Sequence, residues 1–171
     1  MYRLQDLVVG EEAATAQTTA EIQQAITDLT TEEGQPVTAT SLQAQPAELM
    51  RRRTLGMDPD HGDEFNRPEM ETALLTEALR GVRLRRAPDG GVEWFDQANN
   101  SYDAMFSDLA AQYFDRQWQL GKLQTSIMDH VRKADFVPFD VRHLTADQVA
   151  TLKSYVAGLT PAQQAKIFFI S

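Results

Sequence analysis

The sequence predicts a mainly α fold: a small helical domain with one long helix, a single β-hairpin and an extended N-terminal arm. Three observations lead there. Apolar residues recur at helical spacing through most of 46–171. Only the stretch near 82–96 alternates with a period of two, around Pro88-Asp89-Gly90-Gly91. Residues 11–45 are rich in Ala, Thr, Gln and Glu and hold no aromatic residue, so they bury little apolar surface.

The arm, residues 1–45, opens with Leu4, Leu7, Val8 and Val9. Ile22, Ala25, Ile26 and Leu29 then fall at helical spacing behind Thr19, which predicts one short helix with a narrow apolar stripe. Gly34 and Pro36 end it. The body, residues 46–171, begins with a helix from Pro46 through Arg51, Arg52 and Arg53 that closes at Gly56. Pro68 suits a first helical turn, and Glu69 and Glu71 favour it. Met70, Leu74, Leu75, Ala78, Leu79 and Val82 are the expected buried face of that helix, which stops at Gly81. The hairpin follows, its glycines expected to supply positive φ.

Asn99, Asn100 and Ser101 are good N-caps for a helix over 101–133. Phe106, Leu109, Tyr113, Leu120, Leu123 and Ile127 take heptad-like positions along it, with Met105, Phe114, Trp118 and Met128 on a second face. That is more apolar surface than a small monomer buries, so either the helix breaks near Gly121 or part of it meets another chain. Thr145…Gln148 and Thr160…Gln163, each preceded by leucine, are capping boxes with staples, and they predict a C-terminal helical hairpin over 144–170. Ile167-Phe168-Phe169-Ile170 is expected in the core or plugged into a neighbour.

The net charge of −9 is unevenly spread: one base and eight acids in 1–50, eight arginines and seven acids in 51–86, seven bases and ten acids in 87–171. Such acidity argues against direct nucleic-acid contact, the arginine block being the local exception. No apolar run is long enough for a membrane span, and the first residues lack a signal-peptide pattern, so the expected location is the cytoplasm or a particle assembled there. Cysteine is absent, which removes disulfides, thiolate metal sites and cysteine catalysis.

Candidate chemistry is sparse. From Asp58 to Glu69 the acids partly follow a calcium-loop pattern, but Gly62 and Asp63 stand in the reverse of the order that loop needs. An acidic turn paired with Arg51, Arg52 and Arg53 accounts for it better. His61 among carboxylates is a weak transition-metal signal, and His130 and His143 read as surface or cap residues. No phosphate loop or nucleophile elbow occurs. The reading is therefore no catalytic, cofactor-binding or metal-binding residue, and no enzyme.

The function this points to is a structural or assembly subunit of the connector, rod, tail or capsid-associated kind. It would bind other protein subunits, as a homo-oligomer or in a hetero-assembly. The expected partner-binding residues are Leu4, Leu7, Ile22 and Ile26 in the arm, Arg83 and Arg85 in the hairpin, and Leu109, Tyr113, Leu120 and Ile127 on the long helix. The alternative is an acidic regulator or inhibitor that occupies a basic surface of a partner.

Overall fold

A computed structural model describes residues 46–171; the arm residues Leu4, Leu7, Ile22 and Ile26 lie outside the described residues. Helix α1 (Pro46–Leu55) is the expected one, and Glu48 accepts from both Arg51 (2.7 Å) and Arg52 (3.1 Å) across its turns. Leu55–Ser171 forms a compact unit of its own.

In that unit β1 (Met57–Asp58) and β2 (Glu64–Phe65) pair antiparallel around a short 3-10 turn, Pro59–His61. Helix α2 (Arg67–Arg80) follows, then β3 (Leu84–Arg86), β4 (Trp94–Asp96) and β5 (Ser101–Tyr102), a three-stranded antiparallel sheet in the order β3-β4-β5. Helices α3 (Ala111–Gln119) and α4 (Lys122–Lys133) lead to β6 (Val137–Asp140). Helices α5 (Ala146–Ala157) and α6 (Pro161–Gln164) then lead to β7 (Ile167–Ile170), which pairs with β6 in parallel, Phe139 opposite Phe169.

The described residues thus form an α/β fold with three small sheets, not a mainly α domain with a single hairpin. Three local misreadings explain the difference. Ser101 and Tyr102 are a strand, not a helix start: Asp96 Oδ1 accepts from the Ala98 and Asn100 amides (2.8 and 3.0 Å) and turns the chain back on β4. The long helix is two helices. Gly121 sits at φ 72°, a left-handed conformation that ends α3 and reorients α4. The C-terminal helical hairpin is cut short. Both capping boxes are present, but the second helix gives way to Ile-Phe-Phe-Ile, whose β-branched and aromatic side chains suit a strand on a buried surface.

The hairpin over 82–96 is real, with Arg86 opposite Trp94, but neither Gly90 nor Gly91 has positive φ. Gly90 instead lies against the exposed Asp60 carboxylate, which a side chain there would displace. The buried face of α2 is also shifted from the expected one. Met70, Thr72, Ala73 and Thr76 are buried, whereas Leu79 is 60% exposed. Thr72 is tolerated inside because its hydroxyl donates to the buried Asp140 carboxylate at 2.6 Å.

Two apolar clusters hold the unit together. Leu55, Ala73, Leu84, Trp94 and Tyr102 form one, in which the Trp94 indole donates to the Leu55 carbonyl at 2.8 Å. The other joins Phe106, Phe114, Ile127, Phe139 and Leu152. Residues 101–105 run beside 136–140, with Asp103 N donating to Phe136 O and Met105 N to Pro138 O. That alignment carries the three-stranded sheet onto β6 and brings Asp103 towards Glu93. No helix among the described residues is long and apolar enough to cross a membrane.

Candidate active site

The β1–β2 turn and the start of α2 enclose a cleft of about 580 Å³, lined among others by Asp58, His61, Phe65, Asn66, Glu69 and Asp108. Asp58 caps the 3-10 turn by accepting from Asp60 N (2.9 Å), and Pro59 sets the first helical φ. One turn later the His61 ring meets the same carboxylate, Nδ1 to Oδ2 at 2.6 Å. The hydrogen bond from Asp58, then its charge, raises the His61 pKa; the same bond lowers that of Asp58. The imidazole is exposed, and its Nε2 is unengaged among the described residues. A proton on this ring is therefore available to a ligand in the cleft.

Asn66 caps α2 by accepting from Glu69 N at 3.1 Å, which fixes Glu69 in the first turn at the cleft wall. Arg86 comes from β3 behind it. Its Nη1 donates to Glu69 Oε2 (2.8 Å) and to the Leu55 carbonyl (3.2 Å), and its Nη2 stands 4.0 Å from Asp58 Oδ1. Burial raises the Glu69 pKa, and the charges of Asp108 and Asp58 add to it, against the pull of Arg86.

Deeper lies Glu93. The residue keeps partial exposure, but its carboxyl end is withdrawn from water and accepts from Ala104 N at 2.8 Å. Burial, followed by the charges of Glu69 and Asp103, pushes its pKa well above the usual carboxylate range. Asp103, 5% exposed, meets Lys133 Nζ at 2.7 Å and His130 Nε2 at 3.3 Å. The His130 Nδ1 contacts the Ser126 carbonyl at 2.7 Å, so that nitrogen bears a hydrogen. Three carboxyl groups, Glu69, Glu93 and Asp103, are thus gathered between Arg86 and the Lys133–His130 pair. Among the described residues no three His, Asp or Glu side chains are placed to share one metal ion. The arrangement suits proton transfer: a carboxylate of raised basicity, a polarised imidazole and a guanidinium beside one cleft.

Of the residues expected to bind partners, those among the described residues are placed as follows. Ile127 is fully buried in its own core, and Leu109 packs against that core. Tyr113 and Leu120 are 58% and 59% exposed, off the face of α3 on which Phe114 is buried. Arg83 and Arg85 are exposed at β3. Sequence reasoning noticed the acids around His61 but missed Glu69, Arg86, Glu93 and Asp103 as a group. The capping pattern around Pro68 was a signal for where Glu69 stands; nothing in the sequence marked Glu93.

Residues 94–170 match the family model of the CdiA C-terminal tRNase domain. That is a little under half of the chain; it includes Asp103, His130 and Lys133 and begins just after Glu93. A solved structure described as the CdiA-CT toxin from Burkholderia pseudomallei in complex with its cognate CdiI immunity protein is also similar, at 28% identity and a TM-score of 0.56. The similarity covers 62% of this chain and all of that one. No curated protein matches the chain.

These findings overturn the expectation of a non-enzymatic structural, virion-type subunit, since both similarities are to toxins or tRNases. They overturn the alternative as well: in the related complex the similar chain is the toxin, and the immunity protein is the other component. A protein partner has support from that complex, whereas self-assembly into a homo-oligomer or larger particle has none. The physical cause of the error is that net charge averages over a chain, while a nuclease needs only a local cluster.

Proposed function

We propose that this protein is a toxin domain that cleaves tRNA by acid–base transesterification in the cleft of His61, Glu69 and Arg86, and that a dedicated immunity protein restrains it. The tRNase match over residues 94–170 carries the reading of RNA cleavage; His61, Glu69 and Arg86 lie before that stretch, and their roles rest on the geometry of the cleft. RNA supplies its own nucleophile, the 2′-hydroxyl. Glu69 accepts the proton from that hydroxyl, and the 2′-oxygen bonds to phosphorus. The bond from phosphorus to the 5′-oxygen breaks, and the protonated His61 ring delivers a proton to the departing oxygen. The products are a 2′,3′-cyclic phosphate and a 5′-hydroxyl. Arg86, held against Glu69, stabilises the charge that builds on the non-bridging oxygens.

The raised pKa suits Glu69 to the base role and His61 to the acid role, because each group is brought closer to the working pH. Purified full-length protein incubated with total tRNA should yield discrete fragments with 5′-hydroxyl ends, resolved on denaturing gels and detected by kinase labelling. Glu69→Gln and His61→Ala should each slow cleavage by about a hundred- to ten-thousandfold. Intact tRNA after long incubation, or unchanged rates in both variants, would refute the assignment. The restraint is tested by whether expression of the chain arrests bacterial growth and a binding protein encoded with it relieves the arrest.

A further inference from the structure

Three arginines of the compact unit are paired with a nearby acid: Arg86 meets Glu69, Arg132 meets Asp129, and Arg142 meets Asp140. Arg85 is held differently. Its guanidinium lies 5.1 Å over the Phe95 ring, and its Nη2 donates to the neutral Asn99 Oδ1 at 2.7 Å. No carboxylate neutralises it among the described residues. The hold is prepared by the turn before β5. Four donors converge on Asp96: the Ala98 and Asn100 amides, the Asn100 side chain and the Tyr102 hydroxyl. That turn carries Asn99 in a left-handed conformation, φ 63°, which asparagine tolerates. Arg85 and Phe95 are register partners on β3 and β4, on the face opposite the buried Trp94 and Asp96. The result is an exposed guanidinium and a half-exposed aromatic ring, both immobilised, on the outer face of a sheet.

We propose that this face docks an unpaired segment of the RNA substrate, a base stacking beside Phe95 and Arg85 and a phosphate accepting from the guanidinium. A carboxylate-free, pre-oriented arginine in a chain of net charge −9 is complementary to a polyanion. An aromatic ring on a sheet face accepts any base, which suits single-stranded RNA better than a duplex. The position also fits the chemistry. β3 is the outermost strand of its sheet, and successive residues point to opposite faces. RNA passing over that edge meets Arg85 on one face and Arg86, beside Glu69, on the other. This rests on the RNA-cleaving reading above, which it deepens by assigning a substrate-holding surface.

The experiment uses the full chain and unfractionated tRNA, with cleavage kinetics and, separately, fluorescence anisotropy binding in the Glu69→Gln background. Arg85→Ala and Phe95→Ala should each raise KM and weaken binding about tenfold, with kcat held within about twofold. Arg85→Ala should also reduce the slope of log affinity against log salt by about one. Phe95→Trp keeps a stacking surface and should bind near the parent level, which separates stacking from a folding defect. The proposal is overturned if Arg85→Ala leaves binding and KM as they were, or if Phe95→Ala does so while still folded. It is overturned equally if Arg85→Ala weakens only the immunity complex, which would make the face a protein contact. If the wild type binds tRNA through these residues yet never cuts it, the docking surface stands and the catalytic reading fails.

Discussion

Asp140 is fully buried, and its removal should be costly in a way that depends on pH. Its carboxylate accepts from Arg142 Nε and Nη2, both at 2.9 Å, and from the Thr72 hydroxyl at 2.6 Å. It therefore ties α2 to the end of β6 and to the loop that follows. Breaking a buried ion pair from one side costs about 3–5 kcal/mol. Here Arg142 remains 27% exposed and keeps Glu71 at 3.1 Å, so it is only partly stranded. Asp140→Ala should then destabilise by about 2–3 kcal/mol at neutral pH, somewhat below that range. Thr72→Val removes one hydrogen bond to a charge, about 1–2 kcal/mol, and the two changes should couple because they share that bond. The pKa of Asp140 is lowered in the folded protein, the bonds from Arg142 and Thr72 outweighing burial. Its contribution is therefore present above the ordinary carboxylate range and lost as pH falls through that range towards the lowered value. Urea denaturation followed by Trp94 and Trp118 fluorescence, at pH 7 and at pH 3, reads both effects. A neutral-pH loss below about 0.5 kcal/mol, or a loss that does not shrink at pH 3, would refute the reasoning.

Three further outcomes are expected. The pH profile of tRNA cleavage should be bell-shaped, rising as Glu69 deprotonates and falling as His61 does. Asp58→Asn should move the falling limb to lower pH, since Asp58 is what holds the His61 proton. Gly121→Ala forces a side chain into φ 72° and should cost about 1–2 kcal/mol in the same urea assay, with α3 and α4 still helical by circular dichroism. Phe139→Ala, which removes edge contacts to Phe106 at 4.9 Å and Phe169 at 5.4 Å from a fully buried site, should cost about 3–5 kcal/mol by the same measure.

What was legible in the sequence was local. Thr145 with Gln148 and Thr160 with Gln163 bond within one turn, so their spacing alone announces both helix starts. The turn at Gly81 and the period change at Leu84 are equally short-range. The parallel pairing of β6 with β7 joins segments separated by two helices, and no pattern in either segment names its partner. Without that pairing, Ile167–Ile170 reads as the end of a helix. Asn99 and Asn100 are as good in a turn as at a helix cap, and Asp96 decides between the two only once it is folded beneath them. The candidate site fails for the same reason. Asp58 and His61 are three residues apart and visible together. Glu69, Glu93 and Asp103 become neighbours only when α2, the hairpin and β5 are assembled, and Arg86 joins them only because β3 places it beside α2.

The crowding of Glu69, Glu93 and Asp103 links whatever binds beside them to pH. Burial and the neighbouring carboxylates disfavour the charged forms of Glu69 and Glu93 relative to surface glutamates. A partner that brings a lysine or arginine up to them lowers both pKa values and expels any proton they hold into solvent. By linkage, its affinity rises with pH across the raised range, and the heat of complex formation varies with the ionisation enthalpy of the buffer. A partner that fills this acidic cleft with positive charge should therefore bind less firmly the more acidic the surroundings become.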